Sequence, residues 1–298
     1  MIARLLVSSL LAVCMASAFA QPAAAPMTWS EVQARPLPAP GVRVTYGGAQ
    51  QQFGELRVPP GPGPHPVLVL IHGGCWHRSF DLQYFSHLAD ALTRETGAAT
   101  WNIEYRRLGD PGGGWPGSFL DIANATDQIR ALAARHHLDT DRVVAIGHSA
   151  GGQLALWLAA RDQLAPGSAP YRPNPLKLRG VIGLSAITDL IAYSRPQGGC
   201  NAAVGELLGG SPERQLARYQ QASPRELLPL GVPQWLIQGV EDPIVPLATV
   251  RAYAGAAKDA GDTVTVEEIA GAGHFEPALP GTSAWPALLA AVRAALKP

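Results

Sequence analysis

The sequence has no excess of charge of either sign. Its 298 residues include 23 Lys and Arg and 23 Asp and Glu, so the formal net charge is zero, and charged residues make up only 15% of the chain. A protein that binds nucleic acid is expected to carry a strongly basic face. The balance of charge therefore argues against a nucleic-acid partner, whereas the 47% hydrophobic fraction is sufficient for a large core.

The N-terminal apolar stretch is too short to span a membrane. It covers residues 5–16, whereas a spanning helix needs about 20 apolar residues. The stretch follows a positive residue, Arg4, and precedes Ala-Phe-Ala at residues 18–20, which fits a small-residue cleavage site. We therefore predict a signal peptide over residues 1–20 and an exported protein, periplasmic or secreted, with no stable membrane insertion after cleavage.

Cysteine is scarce, and the chain has three: Cys14, Cys75 and Cys200. Cleavage of the signal would remove Cys14. Export would place the other two in an oxidising compartment, where a pair of cysteines is more often bridged than free. We predict a disulfide between Cys75 and Cys200, with two isolated buried thiols as the alternative.

The sequence offers no recognisable metal or dinucleotide site. The histidines at residues 136–137, and the pair His72 and His77, each lack a third ligand at a metal-binding spacing. Residues 112–117 match Gly-x-Gly-x-x-Gly, but Pro116 removes a backbone donor and no strand leads directly into the loop. No metal and no cofactor are therefore expected.

One motif points to chemistry, the Gly-His-Ser-Ala-Gly at residues 147–151. It follows an apolar, strand-like run at residues 143–146 and opens a helical pattern at residues 153–161. A serine on a sharp turn between a strand and a helix is a nucleophile elbow, in which the hydroxyl stands above the end of a sheet. Ser149 is therefore the candidate nucleophile.

A serine nucleophile needs a base, and His274 is the one histidine that follows Ser149 in the chain. It lies in a Gly-rich loop directly after a strand-like run at residues 264–269. A histidine after a strand, later in the chain than the serine, is where the base of a Ser, acid, His triad is expected. The alternative is a loop histidine with an ordinary surface hydrogen bond.

The acid of the triad is less tightly constrained. Asp242 is favoured because it follows a predicted strand at residues 234–239 and could fix the tautomer of His274. Glu241 is the near rival. Asp189 is the second alternative, although a role as the cap of a following turn is more typical of its position.

A second motif can stabilise an oxyanion. The apolar run at residues 66–71 ends in His-Gly-Gly-Cys-Trp at residues 72–76. Two glycines there would let backbone N–H groups approach a substrate oxygen that becomes negatively charged in a tetrahedral intermediate. The N–H of Ala150, next to the nucleophile, would be a second donor.

The alternation of strand-like and helical patterns predicts one α/β domain. Such alternation implies right-handed crossovers, a mainly parallel central sheet and helices on both faces. Alternating runs at residues 42–46 and 53–58 predict a hairpin at the sheet edge. We see no internal repeat.

Two segments outside the predicted sheet have other roles. Residues 21–41 are rich in Pro and Ala, which predicts a flexible lead-in to a domain at residues 42–298, with residues 29–32 docking on the body. Residues 187–232 predict a small cap inserted between two central strands, where substrate pockets are commonly shaped.

Taken together, the two motifs and the triad order resemble the α/β-hydrolase superfamily, in its esterase/lipase group with a His-Gly-Gly-x-Trp oxyanion motif. The chain is similar there to small carboxylesterases, to the bacterial feruloyl-esterase-like domain and to kynurenine formamidases, over roughly residues 42–298. The resemblance implies a triad, oxyanion donors and one substrate-site tryptophan that packs beneath the oxyanion loop: Ser149, Asp242 and His274; Gly74, Cys75 and Ala150; and Trp76. Where a lipase subgroup has a third glycine, this chain has Cys75, so that subgroup's preference for bulky esters is not implied.

The expected activity is that of a serine hydrolase, which cleaves small-molecule carboxylic esters through an acyl-enzyme. Amide, formamide or peptide hydrolysis by the same triad is the alternative. A non-catalytic binding protein on the hydrolase fold is a more remote one.

Overall fold

The structure is a computed structural model, and it describes residues 25–195 and 199–297. The predicted signal peptide, residues 1–20, lies outside the described residues. Across the part of the chain that the structure describes, we find no helix with the length and apolar character needed to cross a membrane.

A single eight-stranded sheet forms the centre of the fold, with strand order β1-β2-β4-β3-β5-β6-β7-β8. The first two strands form the predicted hairpin and pair antiparallel, and β2 also pairs antiparallel with β4, whereas β3 to β8 are mutually parallel. The strands are β1 Val42–Thr45, β2 Phe53–Arg57, β3 His65–Ile71, β4 Ala99–Ile103, β5 Leu138–His148, β6 Gly180–Leu184, β7 Gln234–Gly239 and β8 Val264–Ile269.

Helices cover both faces of this sheet. Side chains alternate along β3, so that Val67 and Val69 pack into one core and Leu68 and Leu70 into the other. The helices are α1 Trp29–Gln33, α2 Ser86–Thr96, α3 Gly117–Asp127, α4 Ile129–His136, α5 Ala150–Ala160, α6 Leu190–Tyr193, α7 Gly199–Leu208, α8 Pro212–Ala222, α9 Leu247–Asp259 and α10 Trp285–Ala295. This arrangement is the α/β-hydrolase fold that the sequence predicts.

Within the lead-in, Trp29–Gln33 form helix α1, which packs on the domain where the sequence predicts docking of residues 29–32. Helix α1 begins with a capping box, in which the Thr28 side chain accepts from the Glu31 N–H and the Glu31 carboxylate accepts from the Thr28 N–H. The backbone N–H of Met27 donates to Glu276, which lies 249 residues further along the chain. The apolar Val32 is 3% exposed, so burial on the body stabilises a helix that is too short to persist alone.

The region predicted as a cap, residues 187–232, contains helices α6 to α8 between β6 and β7. Two side chains of α5 bind the C-terminal end of α8. Gln153 donates to the Ala222 carbonyl at 2.8 Å, and the indole of Trp157 donates to the Gln221 carbonyl at 2.9 Å. The region therefore packs on the helix that begins at the elbow.

Candidate active site

Ser149 occupies the turn between β5 and α5, in a backbone conformation that is strained for a residue with a side chain. Its φ is 56° and its ψ is −119°, and its N–H donates to the Leu184 carbonyl of the neighbouring strand at 2.9 Å. The flanking glycines are required by close contacts. A Cβ on Gly147 would lie 2.0 Å from the Gly151 carbonyl oxygen, and one on Gly151 would lie 2.2 Å from that of Ile71. The sequence context and this geometry agree on a strained elbow.

His274 and Asp242 meet at the carboxyl ends of β8 and β7. Nδ1 of His274 lies 2.8 Å from Oδ2 of Asp242, and both residues are buried. A carboxylate oxygen can only accept, so Nδ1 carries the hydrogen in this bond. The other ring nitrogen, Nε2, is then the one able to take up a proton.

Asp242 is held in place by more than the histidine. Its Oδ1 accepts the backbone N–H groups of Ile244 at 2.8 Å and Val245 at 2.9 Å, and its Oδ2 accepts the Gln238 amide at 3.0 Å. Burial raises the pKa of Asp242, but the bond from His274 and the two backbone N–H groups outweigh it and leave the pKa below its usual range. The carboxylate is therefore charged at neutral pH and fixed in orientation.

The two other carboxylates considered for this position lie elsewhere. Glu241 is exposed. Asp189 accepts the N–H of Ala192 at 2.9 Å and caps the N-terminus of α6. Of the three carboxylates weighed in the sequence, Asp242 is the one paired with His274.

The loop after β3 has an unusual backbone at the predicted oxyanion motif. Gly74, Cys75 and Trp76 have φ values of 100°, 51° and 57°, three left-handed residues in succession. Gly74 and Cys75 line the same cavity as Ser149 and His274. The N–H of Ala150 belongs to the first residue of α5, where no intrahelical partner exists.

Trp76 does not line this cavity, which corrects its assignment as a substrate-binding residue. Its side chain is fully buried, and its indole N–H donates to the Gln153 amide oxygen at 3.0 Å. The ring is therefore enclosed in the core, and Gln153 of α5 satisfies its one polar atom. Trp76 therefore supports the oxyanion loop from beneath, as the resemblance also implies.

A buried charged cluster lies beneath the same loop. Nε2 of His72 is 3.1 Å from Oε1 of Glu104, and the guanidinium of Arg107 is 3.0 Å from the same oxygen. Burial raises the pKa of Glu104, but His72 and Arg107 outweigh it and hold the pKa below its usual range. His72 thus contacts a carboxylate at the end of β4, and among the described residues no group of three side chains is arranged to hold a metal ion.

Of the candidate groups, Ser149, His274, Gly74 and Cys75 line one mostly apolar cavity, which measures about 80 Å³, or about 370 Å³ with its open mouth included. Six of its lining residues were not singled out as site residues from the sequence: Trp29, Phe80, Tyr84, His148, Ile244 and Phe275. His148 directly precedes Ser149 and Phe275 directly follows His274, so their positions in the sequence could have identified them as lining residues. The others reach the cavity through tertiary packing.

The structure joins Cys75 and Cys200 in a disulfide, with a Cα–Cα distance of 5.1 Å. This spacing is normal for a disulfide. The bond ties the oxyanion loop to the start of α7, and both cysteines line the cavity. Among the described residues that line the cavity, Cys200 is the one that belongs to the predicted cap region.

Reduction of this disulfide should lower the melting temperature of the protein by at least about 5 °C, because the bond closes a long loop. The loop spans 125 residues, for which chain entropy contributes up to about 5 kcal/mol. Differential scanning fluorimetry with and without a reductant measures the shift. The double variant Cys75→Ser, Cys200→Ser should not respond to reductant, and an equal response in both proteins would contradict the prediction.

A family model and several curated relatives match parts of the chain. The family model BD-FAE matches residues 57–254. The chain is 33% identical to kynurenine formamidase avaC of Aspergillus versicolor over 43% of its own length and 45% of that protein. It is 27% identical to esterase LipQ of Mycobacterium tuberculosis over 70% of its length and 50% of that protein. The aligned parts thus span about half of each of these curated relatives.

Solved structures share the fold at low sequence identity. A truncated carbohydrate esterase from gut microbiota superposes with a TM-score of 0.73 at 17% identity, covering 87% of this chain and 96% of that one. A thermophilic esterase from Thermogutta terrifontis superposes with a TM-score of 0.68 at 21% identity, covering 85% and 90%. The family match covers more than half of the chain, so the chain belongs to the BD-FAE family and has the α/β-hydrolase fold.

Proposed function

We propose that this protein hydrolyses carboxylic esters through a serine acyl-enzyme. The observation that carries the proposal is the shared cavity of Ser149, on its strained elbow, and His274, whose Nδ1 is bound to Asp242. The esterases among the relatives and fold neighbours support it.

Each group has a distinct role in the proposed reaction. Nε2 of His274 takes the hydroxyl proton of Ser149 as the oxygen attacks the ester carbonyl. Asp242 keeps the imidazole in the required tautomer and stabilises the imidazolium that forms. The imidazolium then gives its proton to the departing alcohol, and a water molecule repeats the sequence to release the acid.

The charge that develops on the carbonyl oxygen needs backbone donors. We assign these to Ala150 at the start of α5 and to Gly74 and Cys75 in the loop after β3. The dipole of α5 favours negative charge at its N-terminus. Such donors act in a partly water-excluded site, and loss of one typically costs about 100- to 1000-fold in turnover.

The size and chemistry of the cavity favour a small acyl group. Without its open mouth the cavity has a volume of about 80 Å³, well below the range of about 300–1,000 Å³ that is typical of ligand pockets. Trp29 forms part of its wall, with ring centroids 5.1 Å from Phe80, 5.5 Å from Tyr84 and 5.7 Å from Phe275. We propose that these rings limit the length of the acyl chain.

Replacing Trp29 should therefore broaden acyl selectivity. In Trp29→Ala the ratio of kcat/KM for an octanoate ester to that for an acetate ester should rise about tenfold or more, since one or two buried methylenes are worth that much. Trp285→Ala is the matched control, because Trp285 is half-buried on α10 and does not line the cavity. An unchanged ratio in Trp29→Ala would contradict the assignment of this wall.

A substrate panel tests the function itself. We expect turnover of p-nitrophenyl acetate and butyrate, a lower rate for palmitate, and covalent labelling by a fluorophosphonate. N-formylkynurenine belongs in the panel because one relative is named as a kynurenine formamidase. A dominant rate on N-formylkynurenine would change the proposed substrate class from esters to formamides. An absence of both turnover and labelling would favour a binding protein.

We also propose that the protein is exported and acts on small esters outside the cytoplasm, without a nucleic-acid partner. The short apolar stretch at residues 5–16 supports a cleaved signal. The disulfide supports the oxidising compartment, since such bonds persist there. The N-terminal residue of the mature protein tests the proposal, with cleavage expected after Ala20.

A further inference from the structure

A chain of hydrogen bonds runs beneath the cavity from the oxyanion loop to the loop of the catalytic histidine. The hydroxyl of Tyr84 contacts the backbone N–H of Gly73 and lies 3.1 Å from Nδ1 of His148. Nε2 of His148 lies 2.8 Å from the backbone carbonyl oxygen of His274. Both side chains in this chain are buried, and neither has a part in the reaction described above.

The direction of every bond in this chain is determined. The carbonyl of His274 can only accept, so Nε2 of His148 carries a hydrogen. Burial, together with the neighbouring His274, lowers the pKa of His148 to about 3. The ring is therefore neutral near pH 7, and its Nδ1 accepts from the Tyr84 hydroxyl. Burial raises the pKa of Tyr84 well above its usual value, so the hydroxyl keeps the proton that it donates, and its oxygen accepts from Gly73.

Three backbone segments that carry candidate catalytic groups contribute to this chain of hydrogen bonds. Gly73 directly precedes the oxyanion residue Gly74, His148 directly precedes Ser149, and the third member is the backbone of His274 itself. The hydrogen bonds thus connect three segments at the ends of three different strands, β3, β5 and β8.

The neutral state of His148 also matters for the base. The centroids of the two imidazole rings are 4.6 Å apart. A positive charge on His148 would oppose the imidazolium that His274 must become, because like charges at this distance disfavour one another. A neutral histidine can hold the His274 backbone without that penalty.

We propose that His148 and Tyr84 are positioning residues, which hold the oxyanion loop, the nucleophile and the catalytic histidine in one relative geometry. The inference rests on the proposed function. Displacement of reacting groups by about 1 Å can cost about 100-fold in rate. Loss of this chain should therefore reduce turnover while substrate binding changes little.

Two conservative substitutions test the chain. Tyr84→Phe removes the hydroxyl and keeps the ring in the cavity wall. His148→Gln keeps an amide donor for the His274 carbonyl but has no ring nitrogen at the position of Nδ1, which accepts from Tyr84. Each should lower kcat for p-nitrophenyl acetate by about tenfold or more, with KM within about threefold of the wild type. The double variant should be within about twofold of the slower single variant, because both changes break the same chain.

A buried tyrosine outside the site provides the control. Tyr253 donates to the Gln234 amide oxygen at 2.8 Å, and Tyr253→Phe should lower the melting temperature with kcat unchanged. The inference is overturned if kcat of Tyr84→Phe stays within about threefold of the wild type, or if the losses multiply in the double variant. If His148→Gln does not fold, the comparison of Tyr84→Phe with Tyr253→Phe decides alone. A wild type that is inactive on every ester overturns the proposed function instead, and the inference with it.

Discussion

Ser149→Ala should lower kcat on short esters by about 10,000-fold or more, because the residual rate then comes from oxyanion donors and binding alone. Ser149 is the residue that the strained turn places in the cavity with His274. The variant should also lose labelling by a fluorophosphonate, which intact-protein mass spectrometry measures directly.

The control for this prediction is a serine with no contact to the cavity. Ser194 follows α6, and its hydroxyl donates to the Ile191 carbonyl at 2.9 Å. Ser194→Ala should retain wild-type turnover and labelling. If Ser149→Ala kept more than a few per cent of the activity with its fold intact, another residue would be the nucleophile.

The second large effect is expected from Asp242→Asn. The backbone N–H groups of Ile244 and Val245 would hold the amide oxygen at the Oδ1 position, so the NH2 group would face Nδ1 of His274 as a donor. The imidazole then adopts the wrong tautomer, and the imidazolium loses its countercharge. We expect kcat to fall by about 10,000-fold with a near-normal KM. Steady-state kinetics at neutral pH measure both values.

Asp189→Asn is the matched substitution, since it makes the same chemical change at the other aspartate considered for the acid. Asn caps a helix about as well as Asp, and Asp189 caps α6. This variant should therefore keep both its stability and its turnover. A larger loss in Asp189→Asn than in Asp242→Asn would move the acid to the loop after β6.

The sequence predicts those parts of the molecule that depend on local patterns. The elbow at Ser149 is recognisable because a strand, a glycine-flanked serine and a helix follow each other within a few residues. The hairpin of β1 and β2 is predicted for the same reason, since alternation and turn residues are local. The sequence favours Asp242 as the partner of His274, because parallel strands bring their carboxyl ends to one side of the sheet. It does not exclude Glu241 or Asp189, and the contact between the two side chains decides among the three.

The rest of the site depends on contacts between distant segments. The sequence predicts that residues 29–32 dock on the body but not where, and packing against Phe80 and Phe275 places Trp29 in the cavity wall. Trp76 was assigned to the substrate site through the family resemblance, yet its ring is fully buried and its indole N–H is bound to Gln153 of α5. Left-handed backbone at three successive residues turns that side chain inward, and a pattern of residue types does not reveal such a turn.

The carboxylate of Glu276 has a practical consequence for handling the protein. It accepts the backbone N–H groups of both Met27 and Gly273, so the N-terminal segment passes beside the loop that carries His274. On the opposite side of the sheet, where the parallel strands begin, Arg179 directly precedes β6 and its guanidinium donates to the carbonyl of Lys297. An affinity tag or a solid support joined next to Lys297 would leave the mouth of the cavity open, whereas a bulky fusion just before Met27 would crowd it.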